Sequence, residues 1–220
     1  MNLDFSIVLK NLPLLLHGAE WTVMLTISSL IVGTIIGLVA CFGRLLGGGL
    51  LSWISTGYVE LFRTLPEMVT IFWIYYCFPF AFDLSLSPTG SGIVALSLFA
   101  GAVLAEVFRA GIEAVPLGQI QAAKSLGLSE FRIWYSVILP QALRLMIPAF
   151  ILVVADLVKM SGLLSAIGVS ELVYEASILS ENSFRYFEFF TVIGIVYFII
   201  IFPTSLAARR LDARFVAQRT

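Results

Sequence analysis

The sequence predicts an all-α membrane protein with about five transmembrane helices, and three observations support this fold class. Of the 220 residues, 60% are hydrophobic and 12% are charged, and the mean hydropathy is +1.00. A soluble domain is about 45–50% apolar and about 25% charged, so much of this chain faces something other than water. Several stretches also reach the roughly 20 apolar residues that a helix needs to cross the hydrocarbon core. The basic residues, finally, are concentrated in segments that would share one side of the membrane.

The first three predicted spans cover residues 21–43, 60–82 and 86–108. No charged side chain interrupts the first span, and the third is free of charge over most of its length. The second span has to reach back through Pro66 and Glu67, because the apolar stretch that follows them is too short to cross alone.

The last two predicted spans cover residues 133–157 and 188–208. The fourth is long enough but contains Arg144 and Pro148, and a proline removes a backbone donor and bends a helix. The sequence shows neither an internal repeat nor a second region of different composition, so we expect one membrane domain over residues 1–220.

The distribution of Lys and Arg predicts the orientation of the chain. With five spans and the N-terminus outside, ten basic residues fall on the cytoplasmic side and three on the outside. Cytoplasmic loops are enriched in Lys and Arg, so the C-terminus is predicted to be cytoplasmic. The inside group is Arg44, Arg63, Arg109, Lys124, Arg132, Arg144, Arg209, Arg210, Arg214 and Arg219, and the outside group is Lys10, Lys159 and Arg185.

Composition also excludes several classes of function. The net charge is −1, so the chain has no overall attraction for nucleic acid, and one histidine with two isolated cysteines predicts no metal site. No GxxxxGK[ST] loop is present to hold the phosphates of ATP. The chain is therefore not expected to hydrolyse ATP.

The connection over residues 110–131 is longer than an idle link between two spans. Pro116 suits the start of a short helix and Gly127 suits a left-handed turn at its end. The helix between them carries apolar residues beside the small pair Ala122 and Ala123. It could dock into a groove on a partner or pack against its own bundle, and the residues alone leave both alternatives open.

This segment resembles the EAA loop of bacterial ABC-importer permeases. The loop pattern is represented here by Gln121-Ala122-Ala123, by Gly127 and by the run Val137-Ile138-Leu139-Pro140. Gln121 and Val137 depart from the glutamate and isoleucine of the pattern. The words Arg109-Ala110-Gly111-Ile112 and Leu139-Pro140-Gln141-Ala142 are similar to those of the polar amino acid branch, which includes histidine, glutamine, basic amino acid and opine permeases.

The resemblance implies a type I ABC-importer permease fold in the bacterial inner membrane and three protein partners. A separate ATP-binding subunit would carry ATP and magnesium, and this chain would bind no cofactor. A second permease subunit, identical or related, and an extracytoplasmic solute-binding protein would complete the importer. The short helix would be the coupling helix that contacts the ATPase through Pro116, Gly118, Gln119, Gln121, Ala122, Ala123, Gly127 and Leu128.

Four residues are candidates for the substrate pathway. Glu67, Asp156 and Lys159 are ionisable at membrane depth, where a charge usually faces a cavity or a partner. Ser161 follows in the run Lys159 to Leu163, where many relatives have the word Lys-Asp-Thr-Ser-Leu. The alternative for Asp156 and Lys159 is a pair within one helix at i and i+3, and the same alternative holds for Glu106 and Arg109.

Pro66-Glu67 resembles the branch that handles histidine, basic amino acids and opines, which suggests a cationic or opine-like substrate. The competing function is an ion-coupled secondary amino-acid transporter. Such transporters normally show internal repeats and more spans, and neither feature is visible here.

Overall fold

The structure, a computed structural model, describes residues 3–217, with side chains described to residue 214. Over this part of the chain every regular element is helical, as predicted. The elements are α1 (Ser6–Lys10), α2 (Leu12–Leu45), α3 (Gly49–Thr64), α4 (Glu67–Phe72), a π-helical turn (Trp73–Cys77), α5 (Phe78–Phe82), α6 (Pro88–Glu113), α7 (Leu117–Ser125), α8 (Glu130–Ile133), a second π-helical turn (Trp134–Ile138), α9 (Leu139–Ser161), a 3-10 helix (Gly162–Ile167), α10 (Leu172–Ser183) and α11 (Tyr186–Ala217).

Among the described residues, four continuous helical runs are long and apolar enough to cross a membrane. They are α2, α6, the run Glu130–Ile167 that contains α9, and α11 to Arg214. A fifth crossing is formed only if α3 and the segment Glu67–Phe82 count as one bent span. The prediction of about five spans is therefore confirmed, although one of the five is broken.

The broken span differs from the predicted segment 60–82. The chain is already helical from Gly49, and it bends by 110° between α3 and α4. Leu65 and Pro66 are both extended, with ψ of 138° and 133°. The ring of a proline disfavours the helical conformation of the preceding residue, so α3 ends here and a new helix starts at Glu67.

The two π-helical turns have a shared cause. Pro79 and Pro140 each follow a π turn by two residues. Each proline lacks the N–H that would bond the carbonyl four residues earlier, and that carbonyl lies inside the π turn. The helical hydrogen-bond pattern therefore shifts locally, and the run from α8 through α9 continues as a single crossing despite its prolines.

Small residues allow α2 and α6 to approach closely. A Cβ added to Gly33 would lie 2.7 Å from the Cβ of Ala100, and one added to Gly37 would lie 3.0 Å from the Cβ of Leu104. In a membrane, helices associate through close packing because lipid is as apolar as the side chains. This contact forms the centre of the bundle, with Leu25, Leu96 and Leu104 fully buried.

The bundle has two ends that carry different elements. α7 begins a few residues after α6 ends, whereas Leu164 in the 3-10 helix before α10 packs on Gly92 near the start of α6. We call these the α7 end and the α10 end. α2 begins at the α10 end, where Gly18 lies against the backbone of Glu171 and Leu172.

Candidate functional site

A cavity of about 390 Å³ with charged and apolar walls lies beside the break between α3 and α4. Three of the four predicted substrate residues, Glu67, Asp156 and Lys159, line it. Phe99 lines the same cavity and is about halfway along α6, so the cavity lies near the middle of the bundle. Met160 and Leu163 complete the described lining. We call it the midspan cavity.

Asp156 and Lys159 form an ion pair within α9, with 2.6 Å between Oδ1 and Nζ. This is the pair within one helix that the i and i+3 spacing allowed, and both side chains remain about half exposed. Glu67 is half-buried and makes no hydrogen bond or ion pair with any residue in the range 3–214. The cavity therefore has two carboxylates and one ammonium, and an incoming cation would find Glu67 unpaired.

Ser161, the fourth candidate, does not line the midspan cavity. Its side chain is fully buried and its hydroxyl donates to the carbonyl of Val158 over 2.8 Å. Residue 161 is two positions beyond Lys159, which is about 200° around the helix axis, so the two side chains leave α9 on different faces.

The predicted short helix is α7, and its two ends follow the sequence signals. Pro116 is extended before the first turn, and Gly127 has φ of +73° in the left-handed region. The N–H of Gly127 donates to the carbonyl of Lys124, and the N–H of Leu128 donates to that of Ala123. Glycine is favoured here because a side chain is strained at positive φ.

The faces of α7 divide the predicted contact residues into two groups. Ala123 is 5% exposed and packs into the bundle, and Leu128 is half-buried. The sequence treated Ala122 and Ala123 as one small pair, but only Ala122 points outward. The exposed members of the predicted set are Pro116, Gly118, Gln119, Gln121, Ala122 and Gly127.

Both alternatives for α7 therefore have support. Its inner face packs on the bundle, and the Oε1 of Gln119 accepts a hydrogen bond of 2.6 Å from Gln141 on α9. Its outer face leaves Leu117 and Leu126 strongly exposed. These two side chains form an exposed apolar patch on α7.

An exposed aromatic pair beside α7 was missed from the sequence. The rings of Phe131 and Tyr135 stack with their planes 6° apart and are both strongly exposed. Their i and i+4 spacing on a helix was the available signal. The pair extends the exposed surface next to α7.

Glu106 connects two helices at the α7 end. It accepts hydrogen bonds from Arg44 on α2 and, over 2.7 Å, from Arg109 on its own helix. Arg109 also donates to Glu113 over 2.6 Å. The expected pair of Glu106 and Arg109 is present, but the sequence did not indicate Arg44 as a third member.

A buried carboxylate at the α10 end was also missed. Glu171 is 0% exposed, and it accepts hydrogen bonds from the backbone N–H groups of Val173 and Tyr174 at the start of α10. Burial raises the pKa of Glu171 to about 7, although these two hydrogen bonds oppose the shift. The available signal in the sequence was a local excess of acidic residues, Glu171, Glu175 and Glu181.

Comparisons with known proteins agree with this architecture. The glutamine transport system permease protein GlnP of Escherichia coli (strain K12) is 33% identical over 215 residues, which cover 97% of this chain and 98% of that protein. The L-cystine transport system permease protein TcyB of Bacillus subtilis (strain 168) is 37% identical over 211 residues, covering 94% and 89%. A crystal structure of an amino acid ABC transporter with histidines matches with a TM-score of 0.89 at 30% identity, covering 97% of this chain and 100% of that chain.

A family model also matches most of the sequence. Residues 29–217 match the model described as binding-protein-dependent transport system inner membrane component. The match includes every crossing except the first part of α2, and it includes the midspan cavity and α7. The helical bundle, the curated relatives and the family model agree, so this chain belongs to the binding-protein-dependent transport system inner membrane components and is a multi-pass permease subunit of the ABC-importer type.

Proposed function

We propose that this chain translocates a polar amino acid across the cytoplasmic membrane as the permease subunit of an ATP-binding-cassette importer. The observation that carries the proposal is the midspan cavity, where Glu67, Asp156 and Lys159 meet halfway through the bundle. A charged group at this depth is costly unless it faces a partner or a water-filled path. Proteins of this family named for glutamine and cystine transport support the amino acid class.

The chemistry of the cavity suits a zwitterion. Lys159 can exchange its pairing with Asp156 for the carboxylate of an amino acid, since the pair is half exposed and such pairs contribute little. Glu67 can then meet the ammonium group or a cationic side chain. Because the carboxylates outnumber the cation, we propose a basic amino acid or an opine-like compound as the substrate.

In the proposed orientation of the chain, the α7 end lies in the cytoplasm and the N-terminus lies outside. Arg44, Arg109, Lys124 and Arg132 all lie on elements at the α7 end, which supports this direction by the positive-inside rule. The α10 end then faces an extracytoplasmic solute-binding protein that delivers the amino acid.

Energy for transport comes from a separate ATP-binding subunit that holds ATP and magnesium. The outer face of α7, with Leu117 and Leu126 exposed, is the docking surface for that subunit. A second permease subunit completes the pathway. Closure of the ATPase around nucleotide moves α7 and opens the midspan cavity alternately to the two sides.

Uptake by the assembled importer in proteoliposomes tests the proposal. Glu67→Gln should lower uptake of L-arginine at low concentration by about tenfold, which corresponds to about 1.4 kcal/mol of lost interaction. Glu60→Gln is the matched control, because Glu60 is exposed on α3, does not line the midspan cavity and does not belong to α7.

Two outcomes would contradict the proposal. Unchanged L-arginine uptake by Glu67→Gln would remove this residue from the site. Uptake that needs no ATP and stops when the proton gradient is dissipated would favour the ion-coupled secondary transporter instead.

A further inference from the structure

A second cavity lies nearer the α7 end than the midspan cavity. This second cavity has a volume of about 460 Å³ and shares its α6 wall with the first. Phe99 lines the midspan cavity, and Val103, Val107 and Ala110 line the second at steps of three or four residues. Residues at this spacing lie on one helix face, so a single face of α6 lines both cavities.

The opposite wall has the same continuity on α9. Leu145 and Ala149 line the second cavity, and Asp156 and Lys159 line the midspan cavity. These positions also recur at helical spacing. The two cavities therefore lie one after the other along the groove between α6 and α9, and each has the size of a small-molecule site.

The charges in the second cavity are unequally satisfied. Glu106 lines it but already accepts hydrogen bonds from Arg44 and Arg109. Arg63 also lines it, is exposed, and makes no ion pair or hydrogen bond with any residue of the described range. The unpaired charge on the wall is therefore positive, and a guanidinium keeps that charge at every physiological pH.

The break in the second span directs opposite charges to the two cavities. Arg63 and Glu67 are four residues apart, and in a continuous helix they would share one face and could pair. The extended residues Leu65 and Pro66 intervene, so Glu67 lines the midspan cavity while Arg63 lines the second. Along the groove, an anionic wall is followed by a cationic one.

We propose that Arg63 forms a release subsite, which receives the carboxylate of the amino acid after it leaves the midspan cavity. This inference rests on the proposed function, which makes the α7 end cytoplasmic. A guanidinium binds a carboxylate through two parallel hydrogen bonds. Ala110, Ala114 and Ala149 keep the walls short around Arg63, which leaves room for the rest of the molecule.

Thiol labelling of the assembled importer in inside-out vesicles tests the subsite without knowledge of the substrate. Cys41→Ala and Cys77→Ser give a background in which Ala110→Cys reports from the wall of the second cavity. The probes are two methanethiosulfonates of similar size, one with an anionic sulfonate and one with a cationic trimethylammonium.

We expect Arg63→Gln to lower the ratio of the anionic to the cationic labelling rate by about threefold to tenfold, as the loss of one nearby charge should. Arg63→Lys should keep the ratio. Arg132→Gln is the matched control, because Arg132 is exposed on α8 and does not line the cavity. Sodium acetate should slow anionic labelling more than sodium chloride of equal ionic strength, and only while Arg63 is present.

An unchanged ratio in Arg63→Gln would overturn the proposal, and so would equal slowing by acetate and chloride in the parent. The first result would show that Arg63 does not set the charge of this cavity, and the second that the cavity has no preference for a carboxylate. Failure of the proposed function would be seen in a different measurement. The importer would show no ATP-dependent uptake of L-arginine, while the effect of Arg63→Gln on the labelling ratio would be unchanged.

Discussion

The glycine face of α2 and the broken second span show two opposite ways of placing a helix in a bundle. α2 contacts α6 and the start of α10 through Gly18, Gly33 and Gly37, where an added Cβ would meet backbone or side-chain atoms within about 3 Å. The broken span instead bends by 110° and leaves cavities on both sides of Leu65 and Pro66. Close packing holds one region in a single arrangement, whereas the other has room for a ligand and for movement.

The glycine face should be the region most sensitive to added volume. Gly33→Leu forces a side chain into Ala100, and overpacking of this kind costs about 1–3 kcal/mol or more. We expect a lower yield of folded protein by size-exclusion chromatography and a lower Tm. Gly194→Leu on α11 is the matched control, because an added Cβ there meets nothing within 4 Å. Equal losses in both variants would show that α2 is not specially close-packed.

The contact between α2 and α10 should depend on pH through Glu171. Its pKa is raised from 4.5 to about 7, so the folded state binds the proton more tightly than the unfolded state. Stability from this group is then fully present below about pH 4.5 and is lost as pH rises through about 7, by about 3 kcal/mol.

Hydrogen exchange at Leu172, whose N–H donates to the hydroxyl of Thr22 on α2, measures this dependence after correction for the intrinsic effect of pH. Protection should fall between pH 5 and pH 8 in the parent, values that bracket the pKa of about 7. Glu171→Gln, which keeps an acceptor but cannot ionise, should show little change over the same range. A parent with constant protection would mean that the carboxylate contributes nothing to this contact.

The smallest effect on stability is expected at the break. Pro66→Ala removes a restriction on Leu65 in a region without close packing, and such changes alter stability by about 1 kcal/mol or less. Uptake should nevertheless fall, because a more helical link would rotate Glu67 away from the midspan cavity. Thermal melting and uptake by the same preparation separate the two effects. A large loss of Tm would show that the break is a structural support.

Much of the architecture could be predicted from local sequence. Hydropathy predicted about five crossings because a bilayer imposes one length and one polarity on every span. Pro116 and Gly127 marked the ends of α7 because their backbone preferences act within a few residues. The second span was misplaced at its start, since the helix from Gly49 to residue 60 is more polar than its neighbours and hydropathy alone did not include it.

The sequence identified some of the residues that line the cavities and missed others. Glu67, Asp156 and Lys159 were selected one by one as charges at membrane depth. Their meeting in one cavity follows from the packing of α4 against α6 and against the 3-10 helix that continues α9. Ser161 was selected because it lies in a motif, but its position around α9 directs its side chain away from the midspan cavity. Arg63 was counted only among the cytoplasmic charges. In the structure it lies just before the break in the second span and lines the second cavity.

By itself, the sequence determined the number of crossings, the short helix between the third and fourth, and the family. These features depend on composition and on short motifs whose residues are contiguous in the chain. Only the tertiary structure decided that Ala123 faces inward, that Glu106 is shared with Arg44, and that Arg63 and Glu67 line different cavities. The reason is geometric: a helix's rotation and the angle of its break are set by the helices packed against it, and a local pattern contains neither.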